Sequence, residues 1–300
     1  MSLPIRICLP CPRPKRDRTW GDWYFATSLA RSLNRAGRTV RLETRPETFR
    51  PSARALPWRQ EIDIVLRGKV AYGRRGRCPL VIWVISQADT LTEQEIGEAE
   101  HIFAASQPLA EALAARGARG VSVLPQCTDP EIFSPERRQA GLETNVLFVG
   151  NRREEFPRRV VDLALATGCD LAVWGRGWED RLPDGVLRGR HIENAALGAH
   201  YASARVVLND HHPGMLDHGL VSNRVYDVLA SGSAVVTERM AGMPEDIAGC
   251  VNAYGTGDFE AALHAALDTD PAARRSVADH VRAVHGFDNR AKEILKVLGA

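Results

Sequence analysis

The residues best equipped for chemistry lie between Asn209 and Thr237, which reads Asn-Asp-His-His-Pro-Gly-Met-Leu-Asp-His-Gly-Leu-Val-Ser-Asn-Arg-Val-Tyr-Asp-Val-Leu-Ala-Ser-Gly-Ser-Ala-Val-Val-Thr. Apolar, β-branched runs at Ala204 to Leu208 and Ala234 to Thr237 read as buried strands on either side. Between them one short helix is expected, capped by Ser222, stopped by Gly232 and striped by Val225, Val228 and Leu229. Asn223 and Asp227 fall one turn apart with Arg224 beside them, a polar sector at the helix N-terminal end. That combination points to a phosphate. A helix N-terminus offers unpaired N–H groups and partial positive charge, Gly219 permits close approach to the backbone, and a guanidinium such as Arg224 grips two phosphate oxygens. Asp227 is then free to accept from hydroxyl groups; the plainer alternative is that these groups cap and solvate a surface helix.

Other constellations carry less. His211, His212, Asp217 and His218 are ligand types for zinc or manganese, but their spacing around Pro213 and Gly214 fits a loop better, and no metal is expected. Asp22, at the start of a helix, could act as a general base on an acceptor hydroxyl, although a helix N-terminus lowers its basicity and favours capping. Trp20, Trp23, Trp83, Trp174 and Trp178 are stacking candidates whose commoner role is core. Cys8 and Cys11 form C-x-x-C among prolines, and the six cysteines fit buried thiols better than disulfides.

The elements that must position these groups alternate. Strand runs at Ile5 to Leu9, Thr39 to Glu43, Ile62 to Leu66, Leu80 to Ile85, Ile102 to Ala104 and Val121 to Leu124 are interleaved with helical patterns at Trp20 to Ala36, Thr92 to Glu100 and Gln107 to Arg116. After a stretch broken by Pro125, Pro130 and Pro135, a second series begins at Val146 to Val149 and continues with Val160 to Ala166, Leu171 to Trp174 and the stretch described above. Helical patterns at Phe259 to Leu267, Ala272 to Val284 and Asn289 to Leu298 close the chain. The expectation is an α/β protein of two Rossmann-like β/α/β domains facing each other across a cleft, 1–140 and 141–285, with a helix at about 286–300 returning to the first.

Three hundred residues with 44% hydrophobic and 25% charged describe an ordinary soluble chain. Without a long apolar run or a signal-peptide pattern it reads as cytoplasmic. The net charge of +2 is uneven, for residues 1–77 hold eighteen Lys and Arg against six Asp and Glu. A basic half suggests an anionic partner, either a phosphorylated or glycan acceptor or the inner face of an anionic membrane touched peripherally; the plainer alternative is a solvated face of an Arg-rich chain. No helix-turn-helix, zinc finger or aromatic RNA motif is evident, so nucleic acid is not expected.

Several runs together resemble the CgeB-like branch of the GT-B glycosyltransferases: Asn-Val-Leu-Phe-Val-Gly-Asn-Arg from Asn145, Trp-Gly-Arg-Gly-Trp from Trp174, and Val-Leu-Asn-Asp-His with His-Gly-Leu-Val-Ser-Asn-Arg-Val-Tyr-Asp-Val-Leu-Ala-Ser-Gly from Val207 on. Trp20-Gly-Asp-Trp and Leu124-Pro-Gln-Cys-Thr-Asp-Pro extend the likeness over most of the chain. The resemblance implies a GT-B fold and transfer of a sugar from a nucleotide-diphosphate sugar, without a cofactor or catalytic metal, to an unidentified acceptor. It implies that Asp227 holds the ribose and that Gly219, Leu220, Val221 and Ser222 face the diphosphate with Asn223 and Arg224. It also implies that Arg152, Arg158 or Arg159 is a second phosphate partner beside Asn151, and that Gly175, Arg176 and Ile192 lie near the base. Relatives carry an acid where this chain has Gly219, with Asp217 and His218 near but out of register, and often a histidine where it has Gln87. The catalytic candidates are Asp22, His218 and Arg224. The alternatives are a catalytically degenerate nucleotide-sugar-binding or scaffold protein and a nucleotide-sugar epimerase.

Overall fold

The computed structural model describes residues 3–13, 20–45, 61–74 and 78–299. The chain divides into two units, the first made of Met1–Gln126, Pro213–Val221 and Phe287–Ala300, the second of Cys127–His212 and Ser222–Gly286. Each is built on a six-stranded sheet whose described pairings are all parallel.

In the first unit the strands are β1 (Ile5–Cys8), β2 (Val40–Glu43), β3 (Ile62–Leu66), β4 (Leu80–Val84), β5 (His101–Ala104) and β6 (Val121–Val123), in the order β2-β1-β3-β4-β5-β6. Strands β1, β3 and β4 are buried along their whole length, which is why they read as unbroken apolar runs. The helices are α1 (Gly21–Arg35), α2 (Glu93–Glu98) and α3 (Gln107–Ala115). Phe25 of α1 meets Trp83 and Phe287 edge to face at 5.2 and 4.8 Å, while α2 opens with the expected capping box between Thr92 and Glu95.

The second unit holds β7 (Thr144–Val149), α4 (Arg159–Ala166), β8 (Leu171–Trp174), β9 (Leu187–Gly189), α5 (Asn194–Ser203) and β10 (Ala204–Leu208). Where one helix is expected next, the chain makes two: α6 (Pro213–Asp217), which belongs to the first unit, and α7 (Asn223–Ala230). The His211–His218 stretch is therefore partly helical. Then follow β11 (Ala234–Glu238), α8 (Glu245–Ala248), β12 (Asn252–Tyr254), α9 (Phe259–Leu267) and α10 (Pro271–Val284), and α11 (Phe287–Val297) returns to the first unit. The strand order is β12-β11-β10-β7-β8-β9. The chain thus grows outward from β7 and then turns back to lay β10 on its other side. A parallel sheet opens a crevice at the carboxyl ends of two such strands.

The proline-rich composition places the domain break at residue 140, but the units part at Gln126 and Cys127. Residues 127–139 belong with the second unit because Phe133 stacks on Tyr201 at 5.9 Å and the Gln139 N–H donates to the Ser203 hydroxyl. Eight of the eighteen basic side chains of residues 1–77, Lys15, Arg16, Arg18, Arg50, Arg54, Arg59, Arg75 and Arg77, lie outside the described residues. Several of the rest are spent internally: buried Arg6 is forked onto Asp63 at 2.7 and 2.6 Å, and buried Arg67 pairs with Glu95 at 2.6 Å. None of the described helices is long and apolar enough to cross a membrane.

Candidate functional site

Where β7 and β10 diverge, β7 runs out into Gly150-Asn151-Arg152 and β10 into Asn209-Asp210-His211. Arg158 brings the two exits together. It precedes α4 with φ 68° and ψ 63°, a left-handed conformation that costs a non-glycine residue about 1–3 kcal/mol and persists only when its surroundings impose it. Its Nε donates to the Asn151 carbonyl at 2.9 Å and its Nη1 to Asp210 at 2.7 Å, while its plane lies 4.0 Å over the Phe156 ring. Burial pulls this guanidinium down to about 10, against the pull of Asp210, so it stays cationic at neutral pH. Burial likewise raises the Asp210 carboxyl against Arg158 and Arg224. The second Asp210 oxygen, Oδ2, is buried without a hydrogen-bond partner. A buried orphan of that kind invites a ligand or water.

The N-terminus of α7 is held over the same place. Ser222 is extended, and its hydroxyl accepts the Arg224 N–H at 3.2 Å, the expected cap. The Ser222 N–H donates to His211 Nε2 at 3.1 Å, and His211 Nδ1 lies 3.0 Å from a Glu238 carboxylate oxygen. These partners assign the ring proton to Nδ1 and make buried His211 a strut between β11 and α7. Arg224 lies 5.5 Å from the centroid of Phe148, the ring that Arg158 approaches to 5.8 Å. Its Nη1 is 3.5 Å from Asn209 Oδ1, and its charge works against the burial that raises the Tyr201 hydroxyl. Two guanidiniums therefore converge on one ring below a helix N-terminus, and their mutual repulsion helps lower Arg158. The nearby carboxyls answer this charge weakly, because burial disfavours their charged forms. Such an arrangement attracts an anion.

Asp227 corrects the sequence reading. It is only 4% exposed, and its oxygens accept from the Thr128 hydroxyl at 2.7 Å and the Asn223 amide at 3.0 Å. Burial raises its carboxyl well above the ordinary range, outweighing the hydrogen bond from Thr128. It is thus not freely presented, because the Thr128 hydroxyl and the Asn223 amide already donate to its two oxygens.

Residues 152–296, which carry most of this site, match the family model described as Glycosyl transferase-like. No curated protein matches the chain. Among solved structures it is similar to a sucrose-phosphate synthase from Thermosynechococcus elongatus, with 12% identity over 99% of this chain and 98% of that one and a TM-score of 0.67. AviGT4, a glycosyltransferase involved in avilamycin A biosynthesis, is similar at 17% identity, 99% of both chains and a TM-score of 0.63. An α,α-trehalose-phosphate synthase (UDP-forming) from Burkholderia xenovorans, solved with glucose-6-phosphate, is similar at 10% identity, 100% of both chains and a TM-score of 0.63. At these identities the likeness is one of fold, and the fold is GT-B, with two parallel α/β units.

In the second unit, two loops interlock beside the site. The Asn151 side chain accepts the Arg176 N–H at 2.9 Å, and the Arg152 N–H donates to the Arg176 carbonyl. Gly175 has φ +152°, and a Cβ there would lie 2.1 Å from the Gly150 carbonyl oxygen, so only glycine allows this contact. Arg159 is the exposed first residue of α4, and Ile192 is half-buried in the loop before α5. Of the three arginines left open by the sequence, Arg158 is the one joined to Asp210. Of the five candidate tryptophans, two are structural, the commoner role expected: Trp83 donates to the Leu124 carbonyl, and buried Trp178 donates to the Gly150 carbonyl and meets Phe148 edge-on.

The remaining candidates belong to the first unit. Gly219 turns with φ +64°, and Leu220 and Val221 are buried apolar residues. His218 Nε2 pairs with Asp89 at 2.7 Å, while its carbonyl accepts the Ser106 hydroxyl. Asp22 lies in the first turn of α1, but the N-cap is Trp20, so it does not cap; burial raises its carboxyl instead of the helix terminus lowering it. His212 packs edge-on against Phe156, so the four sequence-adjacent ligand types have separate surroundings. Sequence reasoning missed Asp210, His211 and Thr128 as site builders. Asp210 alone carried a signal, an acid two residues beyond the end of an apolar strand.

Proposed function

We propose that the chain is a glycosyltransferase that moves a sugar from a nucleoside-diphosphate sugar to an acceptor, and that the donor diphosphate sits between Arg158, Arg224 and the N-terminal N–H groups of α7. The observation that carries this reading is the pair of guanidiniums at 5.8 and 5.5 Å from the Phe148 ring, at the point where β7 and β10 diverge. As the bond from the anomeric carbon to the diphosphate breaks, negative charge grows on the leaving phosphate. Cations already fixed by Phe148, Phe156 and Asn209 stabilise that charge without reorganising. Asn223 and Ser222 border the diphosphate, and Asp227 acts there by fixing Asn223 and Thr128. Asn151, Arg152, Arg159, Gly175, Arg176 and Ile192 border the nucleoside. The glucose-6-phosphate of the trehalose-phosphate synthase supports an anionic acceptor by analogy. In the first unit, Asp22 or His218 takes the acceptor proton, Asp89 orienting His218.

A second reading, a nucleotide-sugar-binding protein without turnover, is favoured by one feature: Gly219 stands where relatives are expected to have an acid, flanked by buried Leu220 and Val221. Calorimetric titration with UDP, GDP and ADP, followed by a donor-hydrolysis assay with the matching nucleotide sugars, separates the two. Binding with turnover supports transfer, binding without turnover supports the second reading, and no binding by wild type refutes both.

A further inference from the structure

A second cluster of ligand-type side chains lies outside the diphosphate site. Asp246, in the first turn of α8, faces His280 near the end of α10 and His285 at its C-cap, and their ligand atoms all lie within 4.8 Å of one another. One carboxylate oxygen, Asp246 Oδ2, is 2.8 Å from His280 Nε2 and 2.7 Å from His285 Nε2. Tetrahedral zinc, with bonds of about 2.0–2.2 Å, needs ligand atoms roughly 3.4 Å apart. A retreat of the carboxylate by well under 1 Å from its two partners creates that space. The Asp246 and His280 side chains are 37% and 43% exposed and able to make this adjustment, and their open side admits an ion and a fourth ligand from water.

His285 is held in place. Its ring tilts against Tyr226 at 5.2 Å, its N–H donates to the Val281 carbonyl at 2.8 Å, and its carbonyl accepts the Thr128 N–H at 2.9 Å. Metal ligands are normally oriented by such outer contacts. We propose that Asp246, His280 and His285 form a site for one divalent transition-metal ion of the zinc type, two imidazole nitrogens and one carboxylate oxygen with water completing the shell. The ion ties α8 to the end of α10 and steadies the Thr128 segment, whose hydroxyl holds Asp227. It is structural and touches no reacting atom.

The test uses the full chain stripped with EDTA and dialysed. Zn2+ is titrated against a chromophoric chelator and Co2+ is followed by its visible absorption, in wild type, His280→Ala, Asp246→Asn and His212→Ala. The expected result is one ion per chain, the intense visible bands of four-coordinate Co2+, and a melting temperature that rises with Zn2+. His280→Ala and Asp246→Asn should each weaken binding at least about tenfold, since loss even of a ligand's outer partner costs 10–100-fold. His212→Ala should leave it unchanged. Melting in EDTA confirms that the variants fold. Absence of stoichiometric binding, or equal binding in His280→Ala and Asp246→Asn, overturns the proposal.

Discussion

Arg224→Ala is the most direct test of the diphosphate site. In the free protein Arg224 makes one long contact with Asn209, at 3.5 Å, and lies 5.5 Å from Phe148. Truncation removes only this half-buried contact, worth about 0.5–1.5 kcal/mol of folding stability. The loss in binding is separate. A charge-assisted hydrogen bond to phosphate is worth about 1.5–3 kcal/mol, so nucleoside-diphosphate Kd should rise roughly 10- to 150-fold. Tyr201→Phe supplies the control: it keeps the cation and the stack on Phe133, so it should leave Kd within about threefold. If transfer occurs, Arg224→Ala should lower kcat as well, because its contact strengthens as charge develops on the leaving group. Calorimetry at fixed ionic strength, with a melting curve for each variant, reads both effects. An unchanged Kd in a folded Arg224→Ala variant would refute the site.

Three further outcomes are expected. Burial raises the folded pKa of Asp227 above the ordinary 3.8, so its contribution is fully present below that value and is lost as pH rises through the folded pKa; Asp227→Asn, fixed in a neutral form, should therefore gain on wild type in urea unfolding as pH rises from 3.8 through the folded pKa, and a pH-independent difference would contradict this. Gly175→Ala forces a methyl to within 2.1 Å of the Gly150 carbonyl and should lower both the melting temperature and nucleotide affinity, whereas Gly185→Ala, at φ +80° with nothing within 4 Å, should lower stability alone; equal nucleotide affinity in the two variants would remove the interlocked loops from the site. If His218 takes the acceptor proton, Asp89→Asn should lower kcat several-fold and shift the pH profile while leaving nucleotide Kd unchanged, and an unaltered profile would remove the pair from the mechanism.

How legible these features were follows from how local their causes are. Ile62–Leu66, Leu171–Trp174, Ala204–Leu208 and Phe259–Leu267 have the bounds expected from sequence, because a largely buried strand or an apolar-faced helix shows its burial in its own residues. The cap at Ser222 and the capping box at Thr92 were readable for the same reason. Leu187–Gly189 and Asn252–Tyr254 were not: each has three residues, ends its sheet and pairs with a single neighbour, so its own sequence need not be apolar. The five-residue helix Pro213–Asp217 is too short to display a period.

The site divides along the same line. Arg224 and the α7 N-terminus were visible because cap, glycine and cation lie within a few residues. The choice among Arg152, Arg158 and Arg159 was hidden because it depends on Asp210, 52 residues beyond Arg158, and on one left-handed backbone turn. The state of Asp227 was hidden more deeply. A helical wheel places it opposite Val225 and Leu229 and so suggests solvent, yet Thr128, 99 residues away, covers it and burial makes the charged form costly. An acid one turn into an amphipathic helix thus takes its chemistry from the segment laid over it, and among the described residues that segment is anchored by the carbonyl of His285. The cap and the cation of α7 belong to local sequence, whereas the burial that disfavours a charged Asp227 belongs to the fold.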